Sequence, residues 1–226
     1  MAIRILYEDD DMMAVEKPQG MPSQPDKTGD LDVLSAISAQ CKMSVGLVHR
    51  LDRPVGGLML LAKTKSAEAA LAKAMQNKEW EKSYLAVLCG RLTEPSGTWT
   101  DYLWKNARTN LSQVVSQTQK GAKRAVLYYT VLEEREVDGQ WISLVRIRLE
   151  TGRHHQIRVQ SAAHGVPVWG DRKYHWAASS YAQRTKIALW SYQWKGVHPR
   201  TKQQMTITCL PKENPYTFFS EKLGEM

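Results

Sequence analysis

Cysteine is scarce in this sequence and is not arranged for a disulfide framework or a zinc site. Three cysteines occur in 226 residues, and Cys41, Cys89 and Cys209 lie far apart with no C-x-x-C pair among them. Disulfide-stabilised domains and structural zinc sites need pairs of cysteines at short spacings. We therefore expect a reducing compartment and no bound metal.

Long apolar runs are also absent. No stretch approaches the ~20 consecutive apolar residues that a membrane-spanning helix needs. The first ten residues, MAIRILYEDD, lack the basic and apolar regions of a secretory signal. The sequence therefore predicts a cytoplasmic protein with no membrane partner.

Negative charge is in short supply, because 31 Lys and Arg stand against 23 Asp and Glu and leave a net charge of +8. A field of this sign favours an anionic partner such as nucleic acid, although many basic proteins bind nothing in particular. With 42% hydrophobic residues the chain can bury a sizeable core. Its length predicts one domain over residues 1–226.

The N-terminal part of the sequence predicts short strands alternating with helices. The segments IRILY and MMAVE predict a hairpin, and a helix over LDVLSAISAQ follows, capped by Asp30 or Asp32. The run Gly57–Ala62 is short and apolar, as in a strand buried on both faces. A helix over SAEAALAKAMQNK, capped by Ser66, then leads to a strand that contains Tyr84.

The rest of the sequence is richer in strand patterns. Residues 96–121 carry little periodicity and predict a surface excursion. The Asp-Gly pair at 138–139, between AVLYYTVLEE and WISLVRIRLE, predicts a hairpin. Thr151 is placed to cap a helix over 153–164 that Gly165 ends. Two further strands are expected near KIALWSYQWKG and QQMTITCL.

One group of residues able to carry chemistry is HRLDRP, at 49–54. Its carboxylate, Asp52, is flanked by Arg50 and Arg53, and an opposite charge within a few ångströms lowers a carboxyl pKa by about one to three units. The ionised aspartate can then act as a nucleophile or a base. The alternative is a surface ion pair in a loop, since such carboxylates are also common in structural networks.

A second group is ETGRHHQIR, at 150–158. At the start of the predicted helix, Arg153 would lie in the first turn, and His154 and Arg158 would share a face, which favours the binding of a phosphate or carboxylate. A solvated polar face is the alternative. The H-E-x-x-H spacing of a metal site is absent and no cysteine is near, so this group also predicts no metal.

Taken in order, these segments resemble the motifs of one family. HRLDRPVGGLMLLAKT, KSYLAVLCG and ETGRHHQIRVQSAAHGVPVWGDRKY are similar to successive motifs of the RluA-type pseudouridine synthases, and the similarity begins at ILYEDDDMMAVEKPQG. H-R-L-D alone would mean little, whereas H-R-L-D, K-x-Y-x-A and T-G-R-x-H-Q-I-R in this order are specific. The resemblance implies an α+β fold, with a central, mostly antiparallel or mixed sheet flanked by helices and loops and a cleft across the sheet.

The resemblance also implies an isomerase that converts uridine to pseudouridine in RNA. The family's catalytic aspartate falls on Asp52. Its tyrosine, used against the target base and in proton handling, falls on Tyr84. The arginine that pairs with the aspartate falls on Arg158. The residues expected to bind substrate are Arg50, Arg153, His155, Gln156 and Ile157, the last as part of the pocket lining.

The implied reaction needs no cofactor, because nothing is oxidised, hydrolysed or transferred between molecules. The uridine is expected to be flipped out and stacked on Tyr84. The expected partner of a monomeric enzyme is structured ribosomal or transfer RNA. Many members carry a small RNA-binding domain before the catalytic one, for which this sequence has no room. The catalytic domain is therefore expected to bind RNA through basic clusters at 120–124, 146–148 and 172–173.

Three positions depart from the family pattern. Val55-Gly56-Gly57 stands where the family has Thr-Ser-Gly, Gln160 replaces a histidine, and His175 replaces a glycine. None of them falls on a proposed catalytic residue. They bear on substrate preference more than on activity.

Two other functions compete with this interpretation. A non-catalytic RNA-binding protein would use the same basic surface, with eight Trp and nine Tyr for stacking on bases, but it gains nothing from the carboxylate of Asp52. A hydrolase of nucleosides or glycosides would need a second acid about 5 to 9.5 Å from Asp52. Glu150 and Asp171 are the candidates.

Overall fold

The computed structural model describes residues 2–175 and 185–226. In chain order, its elements are β1 (Arg4–Glu8), β2 (Met12–Lys17), α1 (Val33–Cys41), β3 (Gly46–Leu47), β4 (Gly56–Ala62), α2 (Lys65–Gln76), β5 (Glu81–Cys89), β6 (Ser96–Asn106), β7 (Leu111–Val115), β8 (Lys123–Val137), β9 (Gln140–Leu149), α3 (Gln156–Ala163), β10 (Leu189–Val197), β11 (Gln204–Thr208), a 3-10 helix (Tyr216–Phe219) and α4 (Ser220–Gly224). The chain divides into two units. Unit 1 comprises residues 1–83 and 190–211, and unit 2 comprises residues 84–189 and 212–226.

Unit 1 contains a mixed sheet with the strand order β1-β2-β4-β10, in which β3 also pairs with β4 and β11 with β10. The predicted N-terminal hairpin is present, and its second strand runs antiparallel to β4. β4 pairs with β10 in parallel. Every residue of β4 is buried, as its apolar run predicted.

The two helices of unit 1 begin at side-chain caps. Asp32, one of the two predicted caps of α1, accepts a hydrogen bond from the N–H of Ser35 at 3.0 Å and takes the cap position. The predicted cap of α2, Ser66, is wrong. Thr64 takes this position because its backbone is extended and its hydroxyl accepts from the N–H of Ala67, at 3.1 Å.

Unit 2 contains strands in the order β5-β9-β8-β6-β7. The hairpin of β8 and β9 turns at Asp138 and Gly139, whose φ angles are 50° and 72°. Two successive positive φ angles are what a tight hairpin turn with Asp-Gly requires. The predicted hairpin is therefore confirmed.

The segment at 96–121, for which the sequence predicted a surface excursion and no strand, is mostly strand. β6 pairs antiparallel with β8 on one side and with β7 on the other. Along β6 only Trp99 and Leu103 are fully buried. Such sparse burial leaves no strict alternation of apolar and polar residues in the sequence, which explains why the pattern was missed.

The boundaries of α3 also differ from the prediction. The helix begins at Gln156, after His155, which has a φ of 53° and provides no side-chain cap. The hydroxyl of Thr151 instead accepts from the N–H of Val126 and donates to Oε1 of Gln156, both at 2.8 Å. These bonds tie the chain before α3 to β8 as a loop.

The later start of α3 changes the prediction for the second motif, whereas the predicted end of the helix is confirmed. Arg153 and His154 precede the helix, so the predicted sharing of one helical face by His154 and Arg158 is wrong. Gly165 has a φ of 78° just beyond the end of α3, as predicted.

The antiparallel pairs in both units, the parallel pairing of β4 with β10 and the helices confirm the predicted α+β class. In the part of the chain that the structure describes, no helix has the length and apolar character needed to span a membrane.

Candidate active site

The residues predicted for the site are divided between the two units. Arg50 and Asp52 belong to unit 1, where Arg50 is exposed and Asp52 is half-buried. The other six belong to unit 2: Tyr84, Arg153, His155, Gln156, Ile157 and Arg158.

In unit 1, the HRLD segment is held at its first and third residues. The ring of His49 lies 4.2 Å from that of Trp194, and its Nε2 accepts a hydrogen bond from the N–H of Leu60 in β4, at 3.0 Å. Burial lowers the pKa of His49 well below its usual range, so that the ring is neutral. The hydroxyl of Ser23 donates to the carbonyl of Leu51, at 2.8 Å, and accepts from its N–H, at 3.1 Å. The backbone that leads into Asp52 is therefore fixed.

Lys17 holds the backbone on the other side of Asp52. This side chain is fully buried, and its Nζ donates to the carbonyls of Pro18, Arg53 and Val55 at 3.1, 3.0 and 2.7 Å. Burial lowers the pKa of Lys17 to about 7, and the charge of Asp52 opposes this shift. Lys17 therefore shapes the turn and places a basic group near the carboxylate.

Arg53 has a different role from the one predicted. Its Nε donates to the carbonyl of Gly20 at 2.9 Å, one terminal nitrogen donates to the hydroxyl of Thr28 at 3.1 Å, and the other pairs with Asp30. The guanidinium thus closes the loop that precedes α1. Lys17 is a buried basic group that interacts electrostatically with Asp52.

Steric contacts explain the two glycines of β4, of which Gly56 departs from the family pattern and Gly57 matches it. A Cβ at Gly56 would lie 2.4 Å from the ring of Trp190. Gly57 has a φ of 110°, and a Cβ there would lie 2.2 Å from the carbonyl oxygen of Ser191. The ring of Trp190 occupies the space that a serine at position 56 would need. Glycine at position 56 therefore accommodates the ring of Trp190 where β4 packs against β10.

Replacing Lys17 by methionine tests its role in holding the turn. Methionine fills a similar volume but cannot donate, so three carbonyls lose a hydrogen bond, although that of Arg53 keeps a second donor in the N–H of Gly20. We expect the free energy of unfolding to fall by about 2–4 kcal/mol. Urea unfolding measures this loss. The matched control is Lys65→Met, since that lysine is exposed. Equal stability of Lys17→Met and Lys65→Met would contradict the role given to Lys17.

In unit 2, Arg158 is held by a buried ion pair. Its Nε donates to Oδ2 of Asp171 at 2.7 Å and its Nη2 to Oδ1 at 2.6 Å, and both side chains are almost inaccessible, with 4% and 0% exposed. Asp171 also accepts from the N–H of Lys173, at 2.9 Å. Both carboxylate oxygens of Asp171 thus accept hydrogen bonds, which makes this side chain the structural partner of Arg158.

The neighbours of Arg158 have structural partners. Oε1 of Gln156 accepts from the N–H of Arg153 at 2.9 Å, and its Nε2 donates to the carbonyl of Val126 at 3.1 Å. The Nε of Arg153 donates to the carbonyl of Arg124. Ile157 is buried, and so is Tyr84 in β5. Gln156 therefore organises the loop before α3.

His155 is a buried neutral base. Its Nδ1 lies 2.7 Å from the hydroxyl of Tyr174. Burial, followed by the positive charge of Arg158, lowers the pKa of His155 to about 2. The ring therefore stays uncharged at every physiological pH.

Asp9, Asp11 and His198 in unit 1 are close enough to hold a metal ion, but their hydrogen bonds indicate another role. Nδ1 of His198 accepts from the N–H groups of Arg200 and Thr201, at 3.2 and 3.0 Å, so the proton is on Nε2. Nε2 then donates to Asp9 at 2.8 Å. Both ring nitrogens are used, and the cluster ties the β1–β2 turn to the segment after β10.

The sequence interpretation missed the structural roles of three residues: Lys17 and Tyr174 were not singled out, and Asp171 was named only as a possible second acid. All three lie within the quoted motifs, in EKPQG and GDRKY. Their partners are far away in the chain, and a motif alone does not say whether a residue acts on substrate or on a neighbour.

A comparison with known families decides the assignment. Residues 11–163 match the model of the RNA pseudouridylate synthases. The chain belongs to this family. The family's members are RNA pseudouridine synthases, which are isomerases, and the predicted RluA-type membership is confirmed.

Relatives with assigned names support this membership. The tRNA pseudouridine synthase C of Haemophilus ducreyi is 29% identical over 98% of this chain and 96% of its own length. The ribosomal large subunit pseudouridine synthase D of Vibrio vulnificus is 35% identical over 75% of this chain and 52% of its own length. The chain thus aligns with about half of the second relative.

A solved structure supports the fold. The human RNA pseudouridylate synthase domain containing 1 superposes with a TM-score of 0.80 and 24% identity, over 95% of this chain and 85% of its own.

Proposed function

We propose that this RNA pseudouridylate synthase family member isomerises uridine to pseudouridine in structured RNA, with Asp52 as the catalytic carboxylate. The reaction breaks the bond between ribose and N1 of uracil and rejoins the ribose at C5. It is intramolecular and neutral in electrons, so it requires no cofactor. The acting form is a monomeric cytoplasmic enzyme in which residues 1–226 serve as one catalytic domain.

The observation that carries this proposal is the way the backbone around Asp52 is held. Ser23 fixes the residue before it, and Lys17 fixes the carbonyls that follow. An ordinary surface ion pair needs no such support. A half-buried carboxylate on a preorganised turn, near a basic group, is suited to act as a nucleophile or base.

Tyr84 and Arg158 have distinct roles in the proposal. The ring of Tyr84 stacks on the flipped uracil, which requires an aromatic face and is independent of sequence context. Arg158 supplies a positive charge whose direction Asp171 fixes. The substrate-binding set consists of Arg50, Arg153, His155, Gln156 and Ile157.

Charge is unevenly distributed in unit 2, which supports RNA as the partner. Exposed cations gather where β6 meets β7 and β8 begins: Lys105, Arg108, Lys120, Lys123, Arg124, Arg153 and Lys173. We call this group the basic end. Acidic residues cluster near the turn at the opposite end of β8, namely Glu133, Glu134, Glu136 and Asp138. Segregated charge of this kind attracts a phosphate backbone.

Three cations of the basic end lack the ion pairs that neutralise other cations of the described residues. Within residues 2–175 and 185–226, no carboxylate pairs with Lys105, Arg108 or Lys123, whereas Arg4, Lys65 and Lys222 pair with glutamates. A cation without an internal partner can neutralise a phosphate at little cost. These three residues are therefore the best candidates for phosphate contacts.

Removing these cations should flatten the salt dependence of RNA binding. For Lys105→Gln, Arg108→Gln and Lys123→Gln combined, we expect the slope of log affinity against log salt to lose about 0.7 to 0.9 for each phosphate contact removed. Binding titrations between low and moderate salt measure it. The control, Arg4→Gln, Lys65→Gln and Lys222→Gln combined, changes the net charge equally. Equal slopes for both variants would place the RNA elsewhere.

The direct test of the proposed function is product formation by the purified protein. Total RNA from cells that lack the gene is incubated with the protein, digested and analysed for nucleosides by chromatography. New pseudouridine supports the proposal. RNA that is bound without any gain of pseudouridine identifies a non-catalytic binder.

A further inference from the structure

Tyr174 lies at a junction in unit 2 where three parts of the chain meet. It belongs to the turn at 171–175, in which Asp171 accepts hydrogen bonds from the N–H groups of Lys173 and Tyr174, at 2.9 and 3.3 Å. The same aspartate holds Arg158. The turn that presents Tyr174 is therefore built on the partner of Arg158.

The hydroxyl of Tyr174 fixes the tautomer of His155. The backbone N–H of Ser112 in β7 donates to this hydroxyl at 2.9 Å, so the oxygen is an acceptor there. The distance from this hydroxyl to Nδ1 of His155 is 2.7 Å, which is typical of an O–H donor and shorter than is usual for an N–H donor, so we place the hydroxyl proton on the bond to Nδ1. Because Nδ1 accepts, the proton of the neutral imidazole must lie on Nε2.

His154 has the opposite tautomer. The hydroxyl of Ser112 donates to the carbonyl of His154 at 2.9 Å, so its oxygen accepts from Nδ1–H of the same residue, also at 2.9 Å. The two histidine rings stack with their centroids 3.8 Å apart. Strand β7, the two histidines and Tyr174 thus form one connected network.

The ring of Tyr174 contacts the proposed catalytic arginine. The guanidinium of Arg158 lies 5.2 Å from the ring centroid, within the range of a cation–π interaction. Arg158 is therefore held from two directions, by the carboxylate of Asp171 and by this ring. His155, whose backbone has the left-handed φ of 53°, is held by the hydroxyl. A non-glycine residue keeps such a backbone only where its surroundings over-determine it.

We infer that Tyr174 is a positioning residue for the proposed reaction: its hydroxyl locks His155 as the Nε2–H tautomer at the start of α3, and its ring steadies Arg158. This role rests on the proposed function. Tyr174 acts through these two neighbours and touches no reacting atom. Its hydroxyl and its ring make separable contributions, because phenylalanine removes one and leucine removes both.

The test compares Tyr174→Phe and Tyr174→Leu with wild type in steady-state pseudouridine formation. For Tyr174→Phe, kcat should fall about tenfold with KM changed less than about twofold, because geometry is loosened while the binding surface stays. Tyr174→Leu should lose about 100-fold in kcat. The matched control is Tyr128→Phe, since Tyr128 also donates its hydroxyl, to Glu150 at 2.6 Å, and has a guanidinium, that of Arg148, 4.1 Å from its ring. This control should keep the wild-type kcat.

A second readout is independent of activity. Long-range nitrogen–proton NMR spectra of the histidine rings should show His155 as the Nε2–H tautomer in wild type and in Tyr128→Phe, and as a tautomer mixture in Tyr174→Phe. The signals are assigned by their loss in His155→Gln. An unchanged tautomer, an unchanged kcat, or a rise in KM alone in Tyr174→Phe would each overturn the inference. Equal losses in Tyr174→Phe and Tyr128→Phe would do the same. If wild type forms no pseudouridine, the proposed function fails. If wild type is active and Tyr174→Phe behaves like it, only the inference about Tyr174 fails.

Discussion

Asp52→Asn should abolish pseudouridine formation while the protein stays folded and binds RNA. Asparagine keeps the size and much of the hydrogen bonding of aspartate but cannot serve as a nucleophile or base, so we expect a loss of at least about 1,000-fold in turnover. Affinity for RNA should be retained or rise, because removal of a negative charge relieves its repulsion of phosphate. Single-turnover kinetics and binding titrations on one RNA separate the two effects.

The control for this substitution is Asp10→Asn. It makes the same chemical change in the same unit, at a carboxylate whose side chain is 89% exposed. Wild-type turnover of Asp10→Asn would show that the loss belongs to Asp52. Comparable turnover of Asp52→Asn and wild type would mean that Asp52 is structural and that the site has been wrongly assigned.

Arg158→Ala should be damaging to both stability and activity. The substitution leaves the carboxylate of Asp171 buried without its main partner, and breaking a buried pair in this way costs about 3–5 kcal/mol of unfolding free energy. Turnover at a temperature where the variant is folded should also be lost. Urea unfolding followed by fluorescence, with activity measured beside it, reports both quantities.

Arg158→Lys separates the two effects. Lysine keeps the charge but cannot bond both oxygens of Asp171 in one plane, so stability should fall by about 1–2 kcal/mol while turnover falls at least about 100-fold. Arg91→Ala is the control, because Arg91 pairs with Glu134 at 2.8 Å in a solvent-exposed position of the same unit. Its stability and turnover should match wild type. Full activity of Arg158→Lys would show that Arg158 serves only as a counter-ion for Asp171.

Local patterns predicted much of the fold. Three features are determined by residues that are close together in the sequence: the apolar run of β4, the Asp-Gly turn of the β8–β9 hairpin and the cap of α1 at Asp32. β6 and β7 could not be predicted in this way, because their polar side chains carry no clear period and their pairing with β8 is non-local. The start of α3 was misplaced because the hydroxyl of Thr151 accepts from the N–H of Val126 in β8 and not from a backbone N–H of the helix.

The motifs predicted the candidate site residues, but they did not predict the residues that hold them in place. The resemblance to the family's motifs assigned the proposed catalytic roles to Asp52, Tyr84 and Arg158. What holds them is distant in the chain: Lys17 bonds to carbonyls 36 and 38 positions away, and Asp171 to Arg158 13 positions away. Charge alone suggested Arg53 as the neighbour of Asp52, but its nitrogens bind the loop that precedes α1.

The proposed enzyme forms pseudouridine in cellular RNA through Asp52. This reaction is tested most directly by mapping pseudouridine at single-nucleotide resolution in total RNA from cells that lack the gene, restored with wild type or with Asp52→Asn. We expect one or more uridines in ribosomal or transfer RNA to be modified with wild type and unmodified in the deletion and with Asp52→Asn. Identical maps in all three would contradict the assigned reaction, and modification restored by Asp52→Asn would contradict the assigned catalytic residue.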